Sequence, residues 1–382
     1  MSPLYERSIQ IIKEGQSSTG AYIASPNFPT YSYCWLRDGS FIAHAMDQAS
    51  EFDSARVFFH WVGSTIQKYS KKIDEIEHRL DNGIPIGKDD VLHTRFTLDG
   101  KEVTEDDAWG NFQIDGYGTW LWALAEHVRL SGDNALLLEL VEPIHTTLRY
   151  LDLVWRLPNY DCWEEHPEYI HAYSLATVFA AFNSMNSLMD QLLIPSNEIP
   201  LRKRAMEVRE FILTHAVSDG YMCKHIKPSR QIKVSAPVIQ SGVDSSMIGL
   251  VVPYQVFSPD DLVMQMTIAK IERDLLRPGG GVYRYRADVY YGGGEWILLT
   301  AWLGWHYARM GRIREAQVLQ NWIERQMTSE GYLPEQVSEH LLAPDHYEAW
   351  LNKWGPIASP LLWSHAMYVI LVNEIKKAKQ NE

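Results

Sequence analysis

A helical periodicity that comes in pairs constrains this chain more than any other feature. Apolar residues recur every three or four positions over about 39–49 and 52–69, 116–131 and 134–155, 172–191 and 198–216, 244–254 and 259–276, and 295–310 and 312–328. An opening helix follows Ser2-Pro3, a capping residue with proline at the first helical position, and carries Tyr5, Ile9 and Ile12 at helical spacing. A last stretch, about 360–377, holds Leu361, Leu362, His365, Met367 and Ile370 and has no partner after it. Pairing the first stretch with the last turns twelve into six hairpins, so the expected fold is all-α, an (α/α)6 barrel.

Two segments interrupt the pattern. Around 72–115, Gly, Pro and Asp accumulate, and Leu92, Phe96 and Leu98 lead into the turn dipeptide Asp99-Gly100, which predicts a hairpin inserted in a long loop. A second irregular stretch, 221–243, carries Pro228, Ser229, Pro237 and Gly242. Both return directly to helical pattern, unlike a linker, so residues 1–382 are expected to be a single domain.

Bulk properties narrow the function. Apolar residues make up 46% and charged residues 22%, which supports a large core. Net charge is −13 and no Lys/Arg block stands out, so nucleic acid is not an expected partner and a neutral substrate suits the surface better. No run of about 18 apolar residues predicts a membrane span. Glu6, Arg7, Lys13 and Glu14 break up any signal-peptide core, and Cys34, Cys162 and Cys223 cannot form a disulfide framework, so a reducing, cytoplasmic location is expected. The 14 Trp and 20 Tyr exceed what an aliphatic core requires; they serve either core packing or the stacking of sugar faces on aromatic rings.

Polar and aromatic residues gather in the loops about once per hairpin. The clusters are Tyr31-Ser-Tyr33-Cys-Trp35-Leu-Arg37-Asp38, Trp109-Gly-Asn111-Phe-Gln113-Ile-Asp115-Gly116, Tyr160-Asp161-Cys-Trp163-Glu164-Glu165, Arg284-Tyr-Arg286-Ala-Asp288 and Gly331-Tyr-Leu-Pro-Glu335-Gln336. In a toroid, loops that join an outer helix to the next inner one emerge on one face, so these clusters converge. Glycoside hydrolysis needs two carboxyls flanking the scissile bond, one protonated and one ionised. Glu164, crowded by Asp161 and Glu165 beside Trp163, has the surroundings that raise a carboxyl pKa and suit an acid. Glu335 follows Pro334, and Gln336 beside it can orient a carboxylate that must stay ionised. Taken singly, a loop glutamate is most often a solvated surface charge. Arg37-Asp38 reads either as an ion pair at a helix start or as a grip on adjacent sugar hydroxyls.

The order of these clusters resembles glycoside hydrolase family 15, the glucoamylase and glucodextranase family, from about Tyr31 to Leu371. Trp35-Leu-Arg37-Asp38 matches the family's Trp-x-Arg-Asp, which implies that Arg37 and Asp38 hold the innermost glucose, with Trp35 beside them. Trp109, Gln113 and Asp115 match its Trp-Gly-x-x-Gln-x-Asp-Gly, implying a substrate-positioning loop. Asp161-Cys-Trp163-Glu164-Glu165 matches Asp-x-Trp-Glu-Glu, implying Glu164 as general acid and a substrate-binding part for Trp163 and Glu165. Arg284-Tyr285 through Asp288, Tyr290 and Tyr291 implies Arg284 as a second hydroxyl clamp, and Leu333-Pro334-Glu335-Gln336 implies Glu335 as general base, with Tyr31 helping to hold the water.

The resemblance implies an inverting exo-acting α-glucosidase that releases β-glucose from short α-gluco-oligosaccharides of isomaltose or maltose type. No cofactor or metal is expected, since no His-Glu-x-x-His or paired Cys motif occurs. The sequence departs from the family at Gly294-Glu295, where Asn-Pro is common, and at Asn111-Phe112. Both bear on the leaving-group side, so linkage is left open, with a trehalase or a phosphorylase as rivals. A sugar-binding protein without catalysis would lack one of the two glutamates, and both are present.

Overall fold

In the computed structural model, residues 2–87, 89–103, 109–195, 199–228 and 242–380 are described, together with the backbone of 237–238. The helices are α1 (Pro3–Glu14), α2 (Leu36–Gln48), α3 (Phe52–Lys68), α4 (Lys71–Asp81), α5 (Asp115–Ser131), α6 (Asn134–Glu139) and α7 (Val141–Val154). They continue with α8 (Ala172–Leu192), α9 (Leu201–His215), α10 (Leu262–Asp274), α11 (Ile297–Arg309), α12 (Ile313–Arg325), α13 (Tyr347–Trp354) and α14 (Leu362–Gln380). Among the described residues nine two-residue strands punctuate the loops: β1 (Cys34–Trp35), β2 (Arg95–Phe96), β3 (Ile170–His171), β4 (Val217–Ser218), β5 (Tyr221–Met222), β6 (His225–Ile226), β7 (Pro237–Val238), β8 (Glu295–Trp296) and β9 (Gln336–Val337).

The ring follows from which helices are apolar all round. In α2 every residue from Leu36 to Asp47 is buried, and in α11 every residue from Ile297 to Ala308, as befits helices with neighbours on all sides. The inner wall runs α2, α5, α8, a 3-10 stretch at Ser245–Leu250, α11 and α14, and α14 packs back on α2 to close it. Outside lie α3, α7, α9, α10, α12 and α1, the last against α14, so the chain's two ends form one hairpin of the toroid.

The pairs expected from periodicity are present with local differences. Residues 134–155 form two helices because Pro143 has no N–H to bond the carbonyl of Glu139, and it sits instead in the first turn of α7. Within 244–254 a 3-10 stretch, Ser245–Leu250, replaces the expected α-helix: Pro253 cannot bond back to Gly249, and the Ser245 hydroxyl donates to the Tyr283 carbonyl. Helix α4 occupies the start of the 72–115 segment, and a turn at Asp99-Gly100 is closed by the Thr97 N–H to the Lys101 carbonyl at 2.9 Å. Among the described residues strand β2 pairs with β1 and not within that segment, Cys34 opposite Phe96 and Trp35 opposite Arg95. Positions 88, 104–108 and 196–198, and 229–236 and 239–241 of the second irregular stretch, lie outside the described residues.

At the axis the inner segments bring aromatic rings together. Phe41 of α2 touches Trp122 of α5, Trp302 of α11 and Trp363 of α14 at centroid distances of 5.7, 5.4 and 5.4 Å. Tyr173 of α8 meets Trp302 and Tyr254, which follows the 3-10 stretch. This plug fills the ring as helix backbones alone cannot. Trp302→Ala, which also leaves the Val252 carbonyl without its 2.6 Å indole donor, is expected to cost about 3–5 kcal/mol in urea unfolding. An unchanged midpoint would show that the plug does not support the ring.

Candidate active site

Short strand pairs fix where the loop residues start. β1 runs directly into α2, so Arg37 and Asp38 fall in its first turn, where the helix dipole favours an acidic side chain. Arg37 donates to the Gln113 Oε1 at 3.1 Å and to the Asp115 Oδ2 at 3.0 Å, and its Nε is 3.5 Å from Asp38. Arg95, delivered by β2, stacks over Trp109 at 4.1 Å and Trp35 at 5.4 Å. Across the ring, β8 pairs with β9 so that Trp296 faces Gln336, next to Glu335. That pairing needs glycine at 294, because a Cβ there would meet the Val337 carbonyl oxygen at 2.3 Å.

The loops enclose a cavity of about 340 Å³, small for a ligand pocket. Seven of the 14 tryptophans line it, and one of these, Trp363, also belongs to the plug, so the cavity ends on the aromatic floor of the ring. Tyr31, Trp35, Arg37, Asp38, Trp109, Trp163, Glu164, Glu165, Arg284 and Glu335 all reach it, as the convergence argument expects. Gln113 and Asp115 do not. Both are fully buried behind Arg37, and Gln113 is further held by the Thr94 hydroxyl and by donating to the Gly110 carbonyl.

Glu164 stands in the left-handed backbone region at φ +67°, a strained conformation for a non-glycine residue. A tight turn holds it: the Asp161 carbonyl accepts the Glu164 N–H at 2.9 Å, and the Asp161 carboxylate accepts the N–H groups of Trp163 and Glu165 at 2.9 and 2.8 Å. The Trp35 indole donates to the Glu164 Oε1 at 2.6 Å, with the Arg37 guanidinium 3.9 Å away. Burial raises the Glu164 pKa against the pull of Arg37, as the crowded Asp-x-Trp-Glu-Glu segment predicts, although burial and not like charge is the main cause.

Glu335 is held from the other side. The Tyr31 hydroxyl, 2.8 Å from that of Tyr290, donates to its Oε1 at 3.1 Å, while its Oε2 has no hydrogen-bond partner. Burial pushes its pKa up to about 8, against Arg284 and the two tyrosine hydroxyls. This differs from the sequence-based expectation of a carboxylate kept ionised: Gln336 does not orient Glu335 but accepts from the Gly294 N–H and donates to the Tyr290 carbonyl, tying two loops together. Asp38, pushed up to about 7 by burial, has a buried Oδ2 without a hydrogen-bond partner, as a hydroxyl-binding group needs.

Arg284 forms a two-pronged pair with Asp288, its Nε 2.7 Å from Oδ2, and lies 3.5 Å from Glu165. Glu165 also accepts from the Tyr285 hydroxyl at 2.7 Å. Behind this group, Lys224 and Asp244 are buried polar residues that sequence reasoning missed, since nothing in Cys-Lys-His or Val-Asp-Ser marks them. Trp350 and Trp354, which line the cavity from α13, were also missed, although Tyr347, Trp350 and Trp354 sit at helical i, i+3, i+7 spacing. Among the described residues, Asp161, His171 and His225 have potential metal-ligating atoms within 4.8 Å of one another. The Lys224 ammonium already sits 2.6 Å from Asp161, and a cation there would meet its charge.

A glutamate whose folded pKa is raised contributes stability that is complete below its unfolded pKa and is lost as pH rises through the folded value. Glu335→Gln removes that loss. Its melting temperature is expected to exceed that of the wild type by a margin that grows between pH 5 and pH 9, measured by thermal denaturation. A margin independent of pH would contradict the burial argument.

The sequence profile of glycosyl hydrolases family 15 matches residues 3–353. An isomaltose glucohydrolase from Kribbella flavida is 37% identical over 97% of this chain and 92% of its own length. A solved wild-type glycosidase superposes with a TM-score of 0.88 at 36% identity, covering 98% of this chain and 96% of that one, and a point variant in complex with glucose superposes equally well. A bacterial glucoamylase complexed with acarbose shares the fold at a TM-score of 0.73 and 22% identity, over 99% of this chain and 56% of that one. Matched along nearly its whole length by profile, relative and structure, this chain belongs to glycosyl hydrolases family 15 and is a glycoside hydrolase.

Proposed function

We propose that the protein is an inverting exo-acting α-glucosidase that releases β-glucose from the non-reducing end of short α-gluco-oligosaccharides, isomaltose or maltose in type. The observation that carries this reading is a small cavity that ends on Trp363 and is lined by Glu164 and Glu335, which come from different loops. A pocket that ends on a packed floor receives the end of a chain that points into it. The 37% identical isomaltose glucohydrolase supports the substrate class. Residues 1–382 act as one catalytic unit, and three buried free cysteines suit a reducing compartment such as the cytoplasm.

In this reading Arg37, Asp38 and Arg284 grip the hydroxyls of the terminal glucosyl ring. Glu164 gives its proton to the glycosidic oxygen as the bond to the anomeric carbon breaks. Glu335 takes a proton from a water that attacks that carbon from the opposite face, and the configuration inverts. Tyr31, bonded to Glu335, helps to hold that water. Gln113 and Asp115 serve the substrate indirectly by fixing the Arg37 guanidinium. Trp109, stacked on Trp354 at 6.0 Å, offers a platform to the leaving sugar, with Trp350 beside it.

Proton NMR of the first glucose released from isomaltose, maltose, nigerose and trehalose tests the reaction. β-Glucose is expected first; α-glucose first would exclude inversion, and preference for trehalose would identify a trehalase. Both carboxyls are raised by burial, so the bell of kcat/KM against pH is expected to lie above the ordinary carboxylate range, its limbs belonging to the pair; an optimum near pH 4 would contradict this. Trp354→Ala is expected to raise KM for isomaltose about two- to tenfold with less effect on kcat, the loss of one stacking contact.

A further inference from the structure

Lys224 is buried among three carboxylates. Its ammonium lies 2.6 Å from Asp161, 3.2 Å from Asp244 and 3.7 Å from Glu165, and over the ring of Tyr285 at 4.6 Å. β3 and β6 fix its position: His171 pairs with His225, and the Ala172 N–H donates to the Lys224 carbonyl at 3.0 Å. Lys224 therefore stands directly beneath the turn that carries Glu164.

Each partner of Lys224 holds part of that turn. Asp161 uses one oxygen, Oδ1, for the N–H groups of Trp163 and Glu165, on either side of Glu164, and its other oxygen faces Lys224. Asp244 accepts from the Trp163 indole at 3.0 Å and from the Ser246 N–H and hydroxyl at 2.8 and 2.6 Å. Asp244 thus retains three other donors without Lys224. Beside Asp161 only the His171 and His225 rings would remain, and burial lowers the pKa of both, so near neutral pH its outer oxygen would keep no cationic partner, and an unpaired buried charge is strongly destabilising. Relief would come by moving Asp161 toward water, which releases the strained turn at Glu164.

We infer that Lys224 is a positioning residue for the general acid: by neutralising Asp161 it keeps Glu164, within the Trp163-Glu164-Glu165 turn, in the left-handed conformation that presents it to the glycosidic oxygen. The inference rests on Glu164 being the acid. Loss of Lys224 then harms leaving-group protonation more than it harms water attack, which Glu335 serves from another loop.

The test compares isomaltose, whose sugar leaving group needs a proton, with α-glucosyl fluoride, whose fluoride needs far less help. Lys224→Met is expected to lower kcat on isomaltose at least tenfold more than on the fluoride. Asp161→Asn combined with Lys224→Met removes both charges but keeps an oxygen for the two N–H groups, and it is expected to recover about tenfold of the isomaltose rate. Equal losses on both substrates would overturn the inference, since general damage spares neither. A double variant no better than the single one would overturn it too. If Lys224→Met does not fold, the double variant carries the test: folded and active on isomaltose supports charge balance, while failure to fold or act refutes it. A wild-type enzyme inactive on both substrates would instead overturn the glucosidase reading beneath it.

Discussion

The structure depends on closing a ring of helices around an axis that no backbone can fill. Six rings meet there: Phe41, Trp122, Tyr173, Trp302 and Trp363 from the inner helices, and Tyr254 from just after the 3-10 stretch. Because the plug is packed, the cavity above it has a floor, and because it has a floor, the site suits a chain end. Half of the tryptophans line that cavity, so the two uses of aromatics weighed from composition are both present. Trp363 belongs to both.

Above the floor the loops gather charge that burial opposes. Arg37 with Asp115, Arg284 with Asp288, and Lys224 with Asp161 and Asp244 are buried groups that neutralise one another and so avoid the penalty of lone charges. Glu164, Glu335 and Asp38 are balanced less completely, and burial raises the pKa of all three. These face the cavity. Groups left with unmet electrostatic demand are the ones able to exchange protons or accept hydroxyls.

Much of this was legible in the sequence because helical periodicity is a local signal. The inner and outer stretches, the cap at Ser2 and the loop clusters between helices can all be read from neighbours within a few residues. Where reading failed, the deciding partner was distant. Phe96 suggested a hairpin, but the partner of its strand is Cys34-Trp35, about sixty residues upstream. Gln336 was expected to serve Glu335 beside it and instead binds Gly294 and the Tyr290 carbonyl. Gln113 and Asp115 were placed with the substrate, yet they stand behind Arg37, and no one-dimensional pattern distinguishes a lining residue from the one supporting it.

The sequence by itself determined the all-helical ring and the loops on which the chemistry had to lie, because spacing along a helix dictates which side chains share a face. Its resemblance to family 15 implied the roles proposed for Glu164 and Glu335. Only the tertiary structure decided how each carboxyl is set: the strained turn under Glu164, the tyrosine pair on Glu335 and the buried ammonium of Lys224. Those depend on desolvation and on charges brought within a few ångströms from remote segments, and neither quantity exists until the ring has closed.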